Sequence, residues 1–346
     1  MPEPFKNILI TKPSSLGDIV LALPALRALR MSFPEAKISW LIRPEFAQLI
    51  ENHPHLDEII TFDRKLLGKA WFHPSAFGAL LSLIRKLRRS KYDVVFDFQG
   101  LFRTASLAWL SGCKTRFGMA NAREFSTIFY THKIPQDIES IHMVDYYLKI
   151  IQAAGASEFG VEFVFPPNPD TEDSVGRLLA SHGIKGNYAV LISGSAHQDK
   201  CWPPERFAQL ADKISSQYNL SIVATGSASE SGIVEKLQEK ANVPIANLAG
   251  QTSLSELVAL LKRARLAVSN DTGPGHIAAA VGIPLVLMFG RTNPIRLEPY
   301  GRKHCVMAIE PDGRGVTINN TNPKYNIKVI TVEQVYQKVR RQLDNR

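Results

Sequence analysis

Short apolar runs rich in β-branched residues alternate with helical apolar patterns along the whole chain, and this alternation constrains the fold more than any other feature. Runs such as residues 5–11 (FKNILIT) and 92–98 (YDVVFDF) predict buried strands. Patterns such as residues 204–217 and 253–264 repeat their apolar positions at helical spacing. Strands that alternate with helices usually pair as parallel sheets covered by those helices. We therefore predict an α/β protein.

The same pattern extends through the rest of the chain. Further strands are predicted at residues 37–42, 57–62, 188–193, 220–226, 244–249, 265–269 and 285–290. Further helices are predicted at residues 19–31, 76–90, 142–156, 232–240 and 330–343, together with an alanine-rich helix after residue 275. The series of strands and helices occurs twice, which predicts two Rossmann-like domains whose parallel sheets face a central cleft.

A proline-bearing stretch, FVFPPNPDTED at residues 163–173, interrupts the alternation and is the predicted linker. We assign residues 1–165 to an N-terminal domain and residues 166–325 to a C-terminal domain. Residues 326–346 contain the last helical pattern, which fits packing on either domain, including a return to the N-terminal one.

Charge and cysteine content narrow the class of protein. The chain has a formal net charge of +9 and a sequence pI near 9.4, which favours anionic partners such as nucleic acid, anionic lipid or phosphorylated sugars. Its three scattered cysteines form no CxxC pair, which argues against a disulfide framework or a zinc site. No apolar run reaches the roughly 18 residues of a membrane span. We expect a cytoplasmic protein, with peripheral contact at the cytoplasmic face of the inner membrane as an alternative.

The densest basic cluster closes the predicted amphipathic helix at residues 76–90. Arg85, Lys86, Arg88 and Arg89 follow apolar residues at helical spacing. Cations near a helix C-terminus are stabilised by the helix dipole, so a plain domain helix explains them. Contact with an anionic membrane surface or an anionic acceptor is the alternative.

The segment SNDTGPGHIAAAVG, residues 269–282, follows a predicted strand and opens a helix. Ligands of open parallel sheets bind beyond the carboxyl ends of the strands, where helix N-termini attract anions. Gly273 and Gly275 would allow close approach of a ligand to the backbone, and a diphosphate is the natural occupant. His276 would supply a further donor. The alternatives are a structural turn with Asp271 as helix N-cap, and a buried core histidine.

Two other predicted strand ends in the second half carry polar residues. Lys200 lies in the loop after residues 188–193, where a mobile cation can reach a phosphate held by the neighbouring loop. Glu230 follows residues 220–226, and a carboxylate there can accept hydrogen bonds from ribose hydroxyls. An exposed loop lysine and a helix cap are the respective alternatives. Together these strand ends outline a nucleotide pocket.

The first predicted strand leads into ITKPSSLGDIVLALP, which matches neither dinucleotide-binding nor P-loop spacing. Asp18 stands at the start of the helix that follows. As a cleft carboxylate it is suited to take a proton from a hydroxyl. As a helix N-cap it would be a weaker base, because hydrogen bonds to a carboxylate lower its pKa.

Four segments together resemble glycosyltransferase family 9, the ADP-heptose:lipopolysaccharide heptosyltransferases. They are KPSSLGDIVLALPAL, DFQGLFRTA, DKCWPPERF and SNDTGPGHIAAAVGIPLVLMFG, and the resemblance runs from about Ile8 to Gly301. It implies a GT-B fold, with the acceptor bound mainly by the first domain and the nucleotide sugar by the second.

The resemblance also implies roles for individual residues. Asp18 matches the general base, and Lys200 matches the diphosphate-binding lysine. The donor-binding set is Ser195, Lys200, Glu230, Asp271, Thr272, Gly273 and His276, and the acceptor-side loop is Lys12, Ser14, Ser15 and Gly17. The chain departs from the family at Gly275, where a bulkier residue is common, and at Arg291, where proline is common.

The function implied is inverting transfer of heptose from ADP-L-glycero-D-manno-heptose to the inner core of lipopolysaccharide, a Kdo- or heptose-bearing lipid A. The chain contains no Asp-x-Asp pair, so we expect neither a metal nor another cofactor. The alternatives are a nucleotide-sugar 2-epimerase or a transferase of a different sugar. A basic nucleic-acid-binding protein is more remote, since no binding motif for nucleic acid is visible and we expect no such partner.

Overall fold

The computed structural model describes residues 5–69, 72–315 and 322–344. The chain divides into two units, Met1–Pro167 and Asn168–Arg346. Within the described ranges, no helix is both long enough and apolar enough to span a membrane.

The described part of the first unit forms a six-stranded parallel sheet. Its strands are β1 (Asn7–Thr11), β2 (Lys37–Ile42), β3 (Glu58–Thr61), β4 (Val94–Asp97), β5 (Arg116–Met119) and β6 (His132–Ile134), in the order β3-β2-β1-β4-β5-β6. Its helices are α1 (Leu16–Ser32), α2 (Pro44–Ala47), α3 (Arg64–Leu67), α4 (Pro74–Arg89), α5 (Phe102–Leu110) and α6 (Met143–Gln152), with a 3₁₀ turn at Ser126–Phe129.

The described part of the second unit repeats this architecture. Its strands are β7 (Tyr188–Ile192), β8 (Ser221–Thr225), β9 (Ile245–Asn247), β10 (Leu266–Asn270), β11 (Leu285–Phe289) and β12 (Val306–Ala308), in the order β12-β11-β10-β7-β8-β9. Its helices are α7 (Pro169–Ser181), α8 (Pro204–Tyr218), α9 (Ser231–Lys240), α10 (Leu254–Arg263), α11 (Gly273–Ala280) and α12 (Val332–Asp344). The predicted α/β class with parallel sheets is confirmed.

Both sheets have the strand order of a Rossmann fold, and this order locates the binding edge of each one. The order reverses between β1 and β4 in the first unit and between β7 and β10 in the second. A crevice opens at such a reversal beyond the carboxyl ends of the strands, because the connections leave in opposite directions. The loops after these four strands are therefore the candidate site segments.

Buried strands and the inner faces of the helices form the cores. All five residues of β7, β10 and β11 are buried, as expected for strands covered on both faces. In the first unit, Leu83 of α4 and Leu107 of α5 belong to one apolar cluster with Leu9 of β1. Helices α4 and α5 therefore cover the same face of that sheet.

The structure departs from the sequence prediction at the linker and assigns the last helix to one domain. The stretch predicted as a linker is helical from Pro169, because Asn168 caps α7 by accepting a hydrogen bond from Thr171 N at 3.3 Å. The sequence pattern allowed the last helix to pack on either domain. Helix α12 packs on the second unit, where Val335 and Val339 are buried in the core. The amphipathic pattern fixes which face of a helix is buried but not which sheet receives it.

Candidate functional site

Asn270 ties together the two loops at the strand reversal of the second unit. Its side chain is fully buried at the end of β10, and its Nδ2 donates to Ser193 O at 2.8 Å. Its Oδ1 accepts from Trp202 N at 3.1 Å. The loops after β7 and β10 therefore hold a fixed relation. Sequence analysis assigned no role to Asn270, although an amide at the end of an apolar strand is a signal for such a tie.

Asp271 contacts two side chains, Lys200 and His276, that were predicted from the sequence to belong to the donor site. Lys200 Nζ lies 2.6 Å from Asp271 Oδ2, and His276 Nε2 lies 3.4 Å from Asp271 Oδ1. The Asp271 side chain is only 4% exposed. Burial alone would raise the pKa of Asp271, but the His276 hydrogen bond and the Lys200 charge lower it to about 2. The carboxylate is thus ionised at neutral pH and holds Lys200 at the strand reversal.

The start of α11 corrects the alternative in which Asp271 caps the helix. The N-cap position is Thr272, and the carboxylate of Asp271 faces Lys200 and His276 instead. Gly273 is the first residue of α11. His276 is buried, as a core histidine would be, yet its ring contacts Asp271.

Gly275 is required for helix packing, a constraint that was not predicted from the sequence. A Cβ built on it would lie 2.6 Å from Ser269 Oγ and 2.6 Å from Leu287 Cδ1. Only glycine lets α11 pack this closely against β10 and β11, and access of a ligand to the backbone at Gly275 stays a prediction. The departure from the family at this position concerns helix packing.

Glu230 makes the cap interactions that were the alternative to ribose binding. Its Oε2 accepts from Ser227 N at 2.7 Å and from Ser227 Oγ at 2.8 Å, which caps the turn leading into α9. Its side chain also lies over the end of β7, since a Cβ on Gly194 would come within 2.3 Å of Glu230 Cδ. The carboxylate therefore stands at the binding edge of the sheet while it caps the turn.

The loop after β7 contributes two serines. Ser195 is half-buried, and its Oγ accepts from His197 N at 3.4 Å. Ser193 is fully buried, and its Oγ has no hydrogen-bond partner among the described residues.

In the first unit, Asp18 is the third residue of α1 and not its N-cap. The N-cap is Ser15, whose N–H and Oγ donate to Asp18 Oδ2 at 3.1 and 2.7 Å. The carboxylate is 30% exposed, beyond the carboxyl end of β1. The alternative in which Asp18 is the N-cap is therefore wrong, although Asp18 belongs to a capping box.

The residues predicted for the acceptor-side loop divide by burial. Ser15 is exposed and Ser14 is half-buried, whereas Gly17 and Lys12 are buried. Lys12 Nζ donates to Phe98 O at 3.1 Å and lies 3.8 Å from Asp18 Oδ2. Burial lowers the pKa of Lys12, while the charge of Asp18 opposes that shift. Lys12 thus supports the Asp18 carboxylate from beneath.

Asp97, at the end of β4, is a buried hub to which sequence analysis assigned no role. Its Oδ1 accepts from Thr11 Oγ1 at 2.8 Å, and its Oδ2 accepts from Thr104 Oγ1 at 3.0 Å and Tyr130 OH at 2.7 Å. Burial raises its pKa, and these hydrogen bonds oppose the rise. The position of an aspartate at the end of a β-run, within DFQG, was the signal. Asp97 fixes the strand reversal of the first sheet.

Within the described ranges, no group of three or more His, Cys, Asp and Glu side chains is arranged to hold a metal ion. The cations near the second-unit reversal come from the protein itself, at Lys200 and the ring of His276 when protonated.

Comparison with known proteins adds the following findings. The family model described as glycosyltransferase family 9 (heptosyltransferase) matches residues 80–326. Lipopolysaccharide heptosyltransferase 3 of Escherichia coli K12 is 27% identical over 289 residues, 82% of each chain. A family 9 glycosyltransferase structure from Veillonella parvula is similar with a TM-score of 0.84 and 25% identity, covering 100% of this chain and 99% of that one. The E. coli heptosyltransferase WaaC structure with ADP has a TM-score of 0.78 and 24% identity, covering 97% and 99%.

Proposed function

Since the chain belongs to glycosyltransferase family 9 (heptosyltransferase), we propose that it transfers heptose from ADP-L-glycero-D-manno-heptose to the inner core of lipopolysaccharide, with inversion at the anomeric carbon. Membership confirms the predicted resemblance, and the similar heptosyltransferase structures confirm the predicted GT-B fold. The donor and acceptor are proposed because the relatives are lipopolysaccharide heptosyltransferases, one of them solved with ADP-2-deoxy-2-fluoro heptose.

The observation that carries the proposal is the Lys200–Asp271–His276 cluster at the strand reversal of the second unit. A leaving diphosphate gains negative charge as the sugar bond breaks, and that charge must be neutralised. We assign this to Lys200, with the backbone amides at the start of α11, where Thr272 and Gly273 lie. Asp271 keeps the ammonium in place when the site holds no diphosphate.

The rest of the donor set follows from the positions of the strand ends. Glu230, beside the end of β7, is assigned to the ribose hydroxyls, and Ser195 to the diphosphate. His276 holds Asp271 from the side opposite Lys200, so we assign it both to this support and to the transferred sugar. Neutralisation by protein groups makes a divalent metal unnecessary in this mechanism.

Asp18 is proposed as the general base of the transfer. It takes a proton from the acceptor hydroxyl as the oxygen attacks the anomeric carbon, on the side opposite the departing ADP. The two hydrogen bonds that Ser15 donates to Asp18 Oδ2 hold the carboxyl group in place at the carboxyl end of β1. They also weaken the base, as does the charge of Lys12. We therefore assign proton transfer to a late stage of the attack, when the hydroxyl has become acidic.

The acceptor is proposed to be Kdo- or heptose-bearing lipid A, bound through the loop that contains Ser14 and Ser15. Because this acceptor is anchored in the inner membrane, we place the enzyme in the cytoplasm with peripheral contact at the cytoplasmic membrane face. The net charge of +9 favours such contact.

The test is mass spectrometry of Kdo-lipid A and of its heptosylated form after incubation with the purified chain and ADP-heptose. A gain of one heptose on one of these acceptors is expected, with ADP released in equal amount. Incubation with the donor alone addresses the epimerase alternative, since an epimerase would convert the nucleotide sugar without an acceptor. No transfer to either acceptor, or conversion of the donor alone, would contradict the proposal.

A further inference from the structure

Large apolar side chains are exposed on α5 and on the neighbouring 3₁₀ turn of the first unit, and we call this surface the aromatic face. Phe102 and Trp109 of α5 are 48% and 54% exposed, and Phe125 and Ile128 are 83% and 67% exposed. Phe129 joins them, with its ring centroid 5.3 Å from that of Phe102 and 6.1 Å from that of Trp109. Contiguous exposed apolar side chains on a folded domain mark an interaction site.

The backbone holds the outermost of these side chains in water. Glu124 and Phe125 both have left-handed backbone angles, φ +55° and +57°. Residues other than glycine adopt this conformation at a cost, and an aromatic side chain gains nothing from exposure. The turn therefore presents Phe125 outward, and folding alone gives no reason for it.

The rim of the aromatic face is basic. Arg88 Nε donates to Leu110 O at 2.8 Å, next to Trp109, and Arg116 Nε donates to Phe129 O at 2.6 Å. Neither arginine forms an ion pair within the part of the chain that the structure describes. Lys91 and Lys114 line one shallow pocket with Arg88, and Asp93 is the one carboxylate there.

Glu124 lies at the opposite end of this surface, beside the start of α5. Glu124 accepts from Phe102 N at 3.3 Å. Positive charge therefore dominates the Trp109 end of the aromatic face, so a partner with negative charge around an apolar interior complements it.

The aromatic face begins beside the loop that contains Ser14 and Asp18. Ser14 N donates to Gln99 Oε1 at 3.3 Å, and Gln99 precedes Phe102 by only three residues. A partner lying on the aromatic face is thus close to the loop that carries Asp18.

We propose that the aromatic face docks on an anionic phospholipid surface, with its aromatic side chains at the headgroup level and Arg88 and Arg116 against lipid phosphates. The combination of exposed Trp and Phe with a basic rim fits a bilayer interface. A second copy of this chain fits less well, because two basic rims would face each other. The inference rests on the proposed lipid-anchored acceptor, which it would bring to the Asp18 loop.

Co-sedimentation of the full chain with vesicles tests the docking. We expect binding to vesicles of phosphatidylethanolamine with phosphatidylglycerol, and much weaker binding to vesicles of phosphatidylcholine alone. The triple variant Trp109→Ser/Phe125→Ser/Ile128→Ser should lower partitioning about tenfold or more, because it removes the apolar area that enters the interface. The matched control is Val329→Ser, which removes a 48% exposed apolar side chain from the second unit.

A second pair of variants tests the rim independently of the aromatic residues. Arg88→Gln/Arg116→Gln should lower partitioning about fivefold for each arginine. The control Lys236→Gln/Lys240→Gln removes the same charge from exposed positions on α9 and should change it much less. Thermal unfolding of each variant checks that it is folded.

The results separate this inference from the proposed function. Heptose transfer to a deacylated, water-soluble core acceptor should be the same for the wild type and the triple variant. The docking proposal is overturned if the wild type transfers heptose but does not sediment with anionic vesicles. It is also overturned if both sets of variants sediment with the vesicles as the wild type does. The same holds if the triple substitution converts a dimer to a monomer and leaves vesicle binding unchanged. Vesicle binding without transfer to any acceptor would contradict the proposed function alone.

Discussion

Removal of Lys200 should affect catalysis and stability in ways that a second substitution separates. Lys200→Ala takes away the charge assigned to the leaving diphosphate, and we expect kcat to fall about 10²-fold or more, the scale of losing one preorganised donor. It also leaves Asp271, 4% exposed, with His276 as its remaining partner of this cluster. The pKa of Asp271 lies at about 2 instead of 3.8. Because Lys200 offsets part of the cost of burying this carboxylate, its removal should lower the free energy of unfolding by about 2 kcal/mol or more.

Asp271→Asn in the Lys200→Ala background distinguishes the two effects. Neutralising the buried carboxylate removes the reason for the stability loss, so the free energy of unfolding should largely recover. The rate should not recover, because the diphosphate still lacks its cation. Asp271→Asn alone should also lower kcat, because it releases Lys200 from its position. The fall in kcat of the double variant should be smaller than the product of the falls in the two single variants.

The assay is steady-state ADP release at saturating donor and acceptor, paired with urea unfolding of each variant. Lys236→Ala is the matched control, because Lys236 is an exposed lysine on α9 of the same unit. Recovery of the rate together with stability in the double variant would refute the reasoning, since Lys200 would then serve only to neutralise Asp271.

Three further predictions follow from single features. Activity should persist in excess EDTA, because protein groups neutralise the diphosphate; inactivation that magnesium reverses would count against this. Gly275→Ala should lower the free energy of unfolding by about 1–3 kcal/mol and weaken ADP binding, because the added Cβ would lie 2.6 Å from Ser269 Oγ. The control Gly186→Ala should change neither, because a Cβ at Gly186 has no neighbour within 4 Å. His53 is buried, and its Nε2 lies 3.0 Å from Val164 O. Burial lowers its pKa to about 4 from 6.5, so the unfolded chain takes up the proton first as the pH falls. The free energy of unfolding should therefore drop by about 3 kcal/mol between pH 6.5 and 4, and a His53→Gln variant with the same slope would contradict this.

Local sequence patterns predict most of the longer elements and the strand ends where the candidate site lies, because apolar spacing and strand-to-helix turns are properties of neighbouring residues. The short strands β5, β6 and β12 were not predicted. Lys200 and Asp271 could be assigned to the candidate site on this basis, since both follow predicted parallel strands. The short α5 was not predicted, although its sequence lies within the motif DFQGLFRTA. Nine residues offer too few turns for a helical period to stand out.

Contacts between segments far apart in the sequence were not predicted. Asn270 joins two loops separated by more than sixty residues, and Asp97 bonds to groups from β1, α5 and the segment before β6. The packing constraint on Gly275 was missed because it comes in part from Leu287 on the next strand. Such roles depend on strand register, which no local pattern specifies.

The central claim is that Asp18 is the base of heptose transfer, and single-turnover transfer by Asp18→Asn tests it most directly. The amide keeps the size of the side chain and can still accept a hydrogen bond from Ser15, so folding and ADP affinity should change little. We predict a fall in the transfer rate of about 10²–10⁴-fold, with bound ADP-heptose left intact. A transfer rate within a few fold of the wild type, in a variant shown to be folded and to bind ADP, would contradict the claim.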